Sequence, residues 1–148
     1  MSYLQLLYHA IIRTKASMPT LSLEHSDNLY RYIWSVIENR KSILHQINGI
    51  ENHLHILFTL HPTIAISDFM RDLKAETSKM LKHTIGFEQF TGWSEGYAAL
   101  TYSLRDKNML INYIKNQREH HKIFSFKNEY ITTLKQMGLY LDERDWNR

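Results

Sequence analysis

Two hydrophobic periods run through the chain, one of two residues and one of between three and four, and they divide it into strands and helices. Tyr3 to Thr14 is rich in Leu, Ile and Tyr and reads as a first strand, closed by the polar, basic Arg13-Thr14-Lys15. Met18-Pro19-Thr20 breaks the chain, because proline excludes regular continuation. From Ser26 to Asn39, Leu29, Ile33, Val36 and Ile37 recur at helical spacing, with Ser26 or Asp27 as the cap. Ser42 to Ile47 is a short β-like run. The Asn48-Gly49 turn signal pairs it as a hairpin with Asn52-His53-Leu54-His55-Ile56-Leu57-Phe58. His61-Pro62-Thr63 ends that strand.

A second helix is predicted over 67–84, with Ile66, Phe69, Met70, Leu73, Met80 and Leu81 on one face. Gly86 to Gly92 is a connector, and Gly96-Tyr97-Ala98-Ala99-Leu100-Thr101-Tyr102 is a fourth strand. Asp106 caps a third helix running to about His121, and Ser125 caps a fourth that ends near Gly138. The charged tail from Tyr140 to Arg148 is expected to be mobile. The order β-α-β-β-α-β predicts an α+β fold, the ferredoxin-like split βαβ antiparallel sheet with helices on one face, plus additional C-terminal helices. One domain spans 1–148, with a core at about 3–122 and a C-terminal helix and tail at about 125–148. The strand after the hairpin lies mid-sheet, and its second face is open unless a later helix or a partner covers it.

Composition narrows the function classes. At 148 residues, 43% hydrophobic and 22% charged, the chain is large enough for a real core. No apolar run reaches bilayer-spanning length, and the opening Met1-Ser2-Tyr3-Leu4-Gln5 lacks the basic region and cleavage site of a signal peptide. The absence of cysteine excludes disulfides and thiolate metal sites, so the expectation is a cytosolic protein. A net charge of +3 permits nucleic-acid binding without demanding it.

The nine histidines change the picture more than the charge does. Alternation along the hairpin's second strand puts His53 and His55 on one face, roughly 6–7 Å apart at the backbone, with Leu54, Ile56 and Phe58 on the other. Two such imidazoles can converge on one metal ion. In the third helix, Tyr113 and Gln117 are four apart and share a face. A phenol and a carboxamide one turn apart suit chemistry better than packing.

The set resembles a known family. His-hydrophobic-His on a strand, followed by Tyr113-Ile114-Lys115-Asn116-Gln117-Arg118-Glu119-His120-His121, is similar to the single-domain tyrosine transposases of the HUH endonuclease superfamily. Those enzymes are encoded by small bacterial insertion sequences. Arg13-Thr14-Lys15, Asn52, Leu73-Lys74 and Trp93-Ser94-Glu95-Gly96-Tyr97 also match, so the likeness extends from Tyr3 to about His121. Leu100-Thr101-Tyr102-Ser103 departs from it, where the family often has a phenylalanine-serine pair.

The resemblance implies a DNA transposase that cleaves and rejoins single-stranded DNA. Tyr113 is the implied nucleophile, forming a 5′-phosphotyrosine and freeing a 3′-OH. His53, His55 and Gln117 are the implied ligands of a divalent metal, Mg²⁺ or Mn²⁺. It further implies a homodimer, with active sites that can assemble in trans, acting on single-stranded DNA with hairpin ends in the bacterial cytoplasm at the nucleoid. Arg13, Lys15, Arg71 and Lys74 are candidate DNA-backbone contacts, since phosphate binding needs positive charge more than exact geometry.

Each residue also has a plainer reading. Alone, His53 and His55 are two polar residues on a wet strand face, Tyr113 is helix packing, and Gln117 is solvated. Glu119-His120-His121 reads as a helix end rather than a second metal site. Register among the four favours chemistry. Two alternatives share the fold: a domesticated REP-associated relative with the same chemistry, and a non-catalytic ferredoxin-like nucleic-acid-binding module. The second would present stacking aromatics where this strand presents histidines.

Overall fold

The computed structural model describes residues 1–148. Strands β1 (Leu7–Arg13), β2 (Ile43–Ile50), β3 (His53–Thr59) and β4 (Ala98–Tyr102) form one antiparallel sheet in the order β2-β3-β1-β4. Helix α1 (Ser26–Asn39) follows β1 and α2 (Ile66–Leu81) follows β3, so the split βαβ topology is as expected. Strands β3 and β1 are central, paired with Ile11 opposite His55 and Arg13 opposite His53.

Alternation sorts the sheet's two faces. Ala10, Ile12, Leu54, Ile56 and Phe58 face α1 and α2, packing on Leu29, Ile33, Ile37, Phe69 and Leu73. Phe58 and Phe69 are fully buried there with rings 4.8 Å apart, and each contributes about 2–3 kcal/mol by leaving water. The opposite face is covered by the chain's own later helices. Leu7 and Leu57 pack on Leu110 and Ile114 of α3 (Lys107–Lys115). Ile11 and Ala98 pack on Phe126, Tyr130 and Leu134 of α5 (Phe126–Gln136). No helix is long and apolar enough to cross a membrane.

Several elements differ from the sequence expectation. Strand β1 starts at Leu7, leaving Tyr3 and Leu4 exposed, and β4 starts at Ala98. Asn48 and Gly49 do not form the hairpin turn. They lie within β2 opposite His55 and Leu54, and Glu51-Asn52 makes the connection. Glycine is needed at 49 for close approach, because a Cβ there would come within 2.1 Å of the His53 carbonyl oxygen. The Asn48 amide instead donates to the Ile114 and Lys115 carbonyls, at 3.1 and 3.0 Å. Those contacts satisfy last-turn acceptors, and the predicted third helix divides at Asn116 into α3 and the short α4 (Gln117–His120).

Caps follow the same local chemistry. Ser26 is the first helical residue of α1 rather than its cap, a place taken by His25; Asp106 stands at the N-cap of α3 as expected but makes no side-chain cap bond, and Ser103 caps the turn before it. Ser125 caps α5 as predicted, accepting from the Asn128 N–H at 3.2 Å. Gly138, at φ +77°, follows the end of α5 in a left-handed turn, with Gly138 N–H bonded to Lys135 and Leu139 N–H to Leu134. The tail is docked rather than loose. Its helix α6 (Glu143–Trp146) sets Trp146 against Phe126, Tyr130 and the Arg13 guanidinium.

Candidate active site and metal centre

Strand β3 turns His53 and His55 toward α3–α5, and both are fully buried. His53 is held from behind by Asn52, whose Oδ1 lies 2.8 Å from Nδ1, and its ring stacks on Phe126 at 3.7 Å between centroids. Its Nε2 lies 3.1 Å from Gln117 Oε1. The Tyr113 ring sits edge-on to His55 at 5.8 Å. The four residues singled out for chemistry are thus brought together, all within one chain.

Their meeting point is a residue that sequence reasoning missed. Glu129 of α5 is buried, with Oε1 at 2.9 Å from His55 Nε2 and 3.5 Å from His53 Nε2. Its Oε2 accepts from the Tyr113 hydroxyl and, at 2.9 Å, from the Gln117 amide. His121, just past α4, places Nε2 3.2 Å from Glu129 Oε1 and 2.9 Å from Gln117 Oε1. It does belong to a helix end, as expected, yet it joins this same cluster. A signal for Glu129 existed: it stands on the apolar stripe of α5 with Phe126, Tyr130, Thr133 and Leu134, where a carboxylate is out of place. His9 was also missed. Its Nε2 lies 2.7 Å from His55 Nδ1, and its own Nδ1 is buried without a partner.

Charge follows the packing. Burial, with His55 and His121 adding to it against opposing bonds to Glu129, lowers His53 from 6.5 to about 4. Burial and His55 lower His9 from 6.5 to about 3. Burial opposes ionisation of Glu129, but the imidazoles of His121, His53 and His55 that face it outweigh this and hold the carboxyl far below the usual range. Burial, then the bond to Glu129, pushes the Tyr113 phenol well above its usual value. At neutral pH the centre holds an ionised carboxylate beside neutral His53 and a protonated phenol.

This donor set fits a divalent metal. His53, His55, His121 and Glu129 offer one ligand atom each, all within 4.8 Å of one another. Beside them a cavity of about 410 Å³ opens on Tyr113, His120 and Glu129, lined further by Tyr102, Met109 and Phe124. It gives a substrate access to the Tyr113 hydroxyl.

The four candidate DNA-contacting residues lie elsewhere. Arg13 is buried at the end of β1 and donates to the Asp145 and Trp146 carbonyls, at 2.6 and 2.8 Å. Lys74 donates to the Ser94 and Gly96 carbonyls, at 2.8 and 3.1 Å. Arg71 is paired with Asp68 and Asp72 on the exposed face of α2. Lys15 is exposed.

The fold and the site define a class, a split βαβ sheet that carries a histidine pair beneath a tyrosine helix. The chain belongs to the IS200-like transposase family, whose model matches residues 2–117. It is therefore a DNA-processing enzyme of the transposition class. Among solved structures it is similar to a protein of Deinococcus radiodurans R1 described as a candidate transposase. That similarity is 25% identity over 79% of this chain and 95% of that one, with a TM-score of 0.58. It is also similar in fold to a REP-associated tyrosine transposase bound to a REP hairpin, at 14% identity over 95% of this chain and 89% of that one, with a TM-score of 0.61. No curated protein matches the sequence.

Proposed function

We propose that the protein cleaves and rejoins single-stranded DNA through Tyr113, at sites beside hairpins. The observation that carries this reading is the convergence of Tyr113, Gln117, His53 and His55 beside a cavity open to solvent. The hairpin is taken from the structural relative that binds one.

In the proposed step the Tyr113 oxygen forms a bond to the scissile phosphorus. The bond from phosphorus to the 3′ oxygen breaks, and that oxygen leaves as a hydroxyl after taking a proton. The tyrosine proton passes to solvent, and Glu129, which accepts the hydrogen bond of that hydroxyl, orients it. A phenol loses its proton reluctantly at neutral pH, so the cation beside it matters. A divalent metal, Mg²⁺ or Mn²⁺, held by His53, His55 and Gln117 would polarise the scissile phosphate when bound. The phosphotyrosine keeps the energy of the phosphodiester, so attack by another 3′-OH reverses the step and rejoins strands. The site forms within one chain, and exchange of the tyrosine helix between two copies would form it in trans. A homodimer would pair two such sites for the two DNA ends, and sedimentation with and without DNA reads its presence.

The test is incubation with single-stranded hairpin DNA and Mn²⁺. The expected result is a denaturation-resistant protein–DNA adduct that Tyr113→Phe abolishes. No adduct on any hairpin, together with unchanged DNA affinity in His53→Ala, would favour a binding module that does not cut.

A further inference from the structure

Proton positions around Glu129 do not balance by hydrogen bonding alone. Its Oε1 has two lone pairs but faces three imidazole nitrogens: Nε2 of His55, His121 and His53, at 2.9, 3.2 and 3.5 Å. Its Oε2 is equally crowded, by Tyr113, Gln117 and His120.

The outer nitrogens sharpen the conflict. His53 Nδ1 faces Asn52 Oδ1 and His121 Nδ1 faces the Phe124 carbonyl, both at 2.8 Å. An oxygen acceptor at Nδ1 fixes the proton there, so in the neutral ring Nε2 carries a lone pair. Two such lone pairs then point at the carboxylate lone pairs of Glu129 and at the carbonyl oxygen of Gln117. Lone pairs converging from nitrogen and oxygen repel unless a cation lies between them.

The spacing fits that cation. A tetrahedral ion with bonds of about 2.0–2.1 Å has ligand-to-ligand edges of roughly 3.3–3.4 Å. The three edges to Glu129 Oε1, 2.9, 3.2 and 3.5 Å, bracket that value, and no two of the four ligand atoms lie farther apart than 4.8 Å. An oxygen acceptor behind each of two ligating rings is the usual support for a metal-bound imidazole.

We propose that helix α5 completes the metal centre: Glu129 and His121 are ligands beside His53 and His55, making a three-imidazole, one-carboxylate site for a first-row transition ion rather than Mg²⁺. The proposal rests on the metal-dependent reading above, sets Glu129 and His121 in place of Gln117, and adds a metal class to it. Three imidazoles suit Co²⁺ or Zn²⁺, whereas Mg²⁺ prefers an octahedral shell of oxygens. Both added ligands lie C-terminal to the stretch matched by the family model, which ends at residue 117.

The test is titration of the metal-free full chain with Co²⁺, followed by visible absorption, with Zn²⁺ and Mg²⁺ as competitors. The wild type should bind one Co²⁺ with the intense spectrum of a four- or five-coordinate ion, displaced by Zn²⁺ but not by millimolar Mg²⁺. Glu129→Gln and His121→Gln should each weaken binding by about tenfold or more. Metal-free melting curves of both variants establish that they fold, and if one does not, the other decides. Wild-type affinity and spectrum in both variants, with binding lost in His53→Ala, would overturn the added ligands while leaving the metal-dependent reading intact. Displacement of Co²⁺ by equimolar Mg²⁺ would overturn the metal class. A wild type that binds none of these ions would overturn both readings.

Discussion

His9 is the residue through which the sheet reaches the site without touching it. Stacked at 5.0 Å on His55 and 2.7 Å from its Nδ1, it sets which His55 nitrogen carries the proton and holds the ring in place. Substituting His9→Phe keeps a buried ring but removes that partner. Co²⁺ affinity is expected to fall about tenfold, with the protein still folded, and an unchanged affinity would exclude a role for His9 in orienting His55. The same ring predicts a pH dependence. His9 and His53 ionise near 3 and 4 in the fold against 6.5 when exposed, so between those limits the unfolded chain binds more protons. Their contribution to stability is complete above pH 6.5 and is lost as pH falls toward 4. His121, raised by Glu129 against its own burial, acts in the opposite sense, one residue against two. Urea unfolding of the metal-free protein should therefore show stability dropping from pH 7 to pH 4, and a flat or rising profile would contradict the buried neutral state of these rings. Legibility at this scale followed locality. His53 and His55 share a period within one strand, and Tyr113 and Gln117 stand four apart across the α3–α4 junction, so both pairs could be read. Glu129, His121 and His9 join only when α5 closes over the sheet, and no local period records that closure.

Hairpin β2–β3 shows how a local signal misleads when tertiary contact competes with it. Asn48-Gly49 has turn chemistry, but Asn48 is used to end α3 and Gly49 to admit the His53 carbonyl. Gly49→Ala is expected to force β2 away from β3 where His53 begins, at a cost of about 1–3 kcal/mol. Thermal melting should register the loss, and Co²⁺ affinity should fall with it because His53 shifts. A variant as stable as wild type would mean that the hairpin relaxes freely there. The helices were more legible. Leu29, Ile33 and Ile37 of α1 and Phe69, Met70 and Leu73 of α2 face the sheet as their spacing required, because both helices cover it through apolar side chains alone. The split at Asn116 was not readable, since its cause lies on β2, in a side chain 68 residues earlier.

Across the whole molecule, the site joins two parts with different anchorage. The central strands β1 and β3 are hydrogen-bonded on both sides and buried on both faces. Helix α5 reaches the sheet through Ile11 and Ala98, through the stack of Phe126 on His53, and through Glu129. A cation shared by Glu129 and the β3 histidines would tie the less anchored part to the more anchored one. Binding to the folded state alone stabilises it by RT ln(1 + [L]/Kd), about 2.7 kcal/mol at a hundredfold excess over Kd. The gain falls on whatever opens when the site opens. If α5 opens by itself, its amides from Phe126 to Gln136 exchange faster than those of β3 in the metal-free protein, and saturating Co²⁺ should slow them by up to about a hundredfold. The β3 amides, expected from their central, buried position to exchange only through global unfolding, should slow by a similar factor from a slower start. Glu129→Gln should remove most of the slowing at α5 while preserving some at β3, because His53 and His55 still hold the ion. Equal slowing of both elements in that variant would show that the metal is held by the sheet without the C-terminal helix.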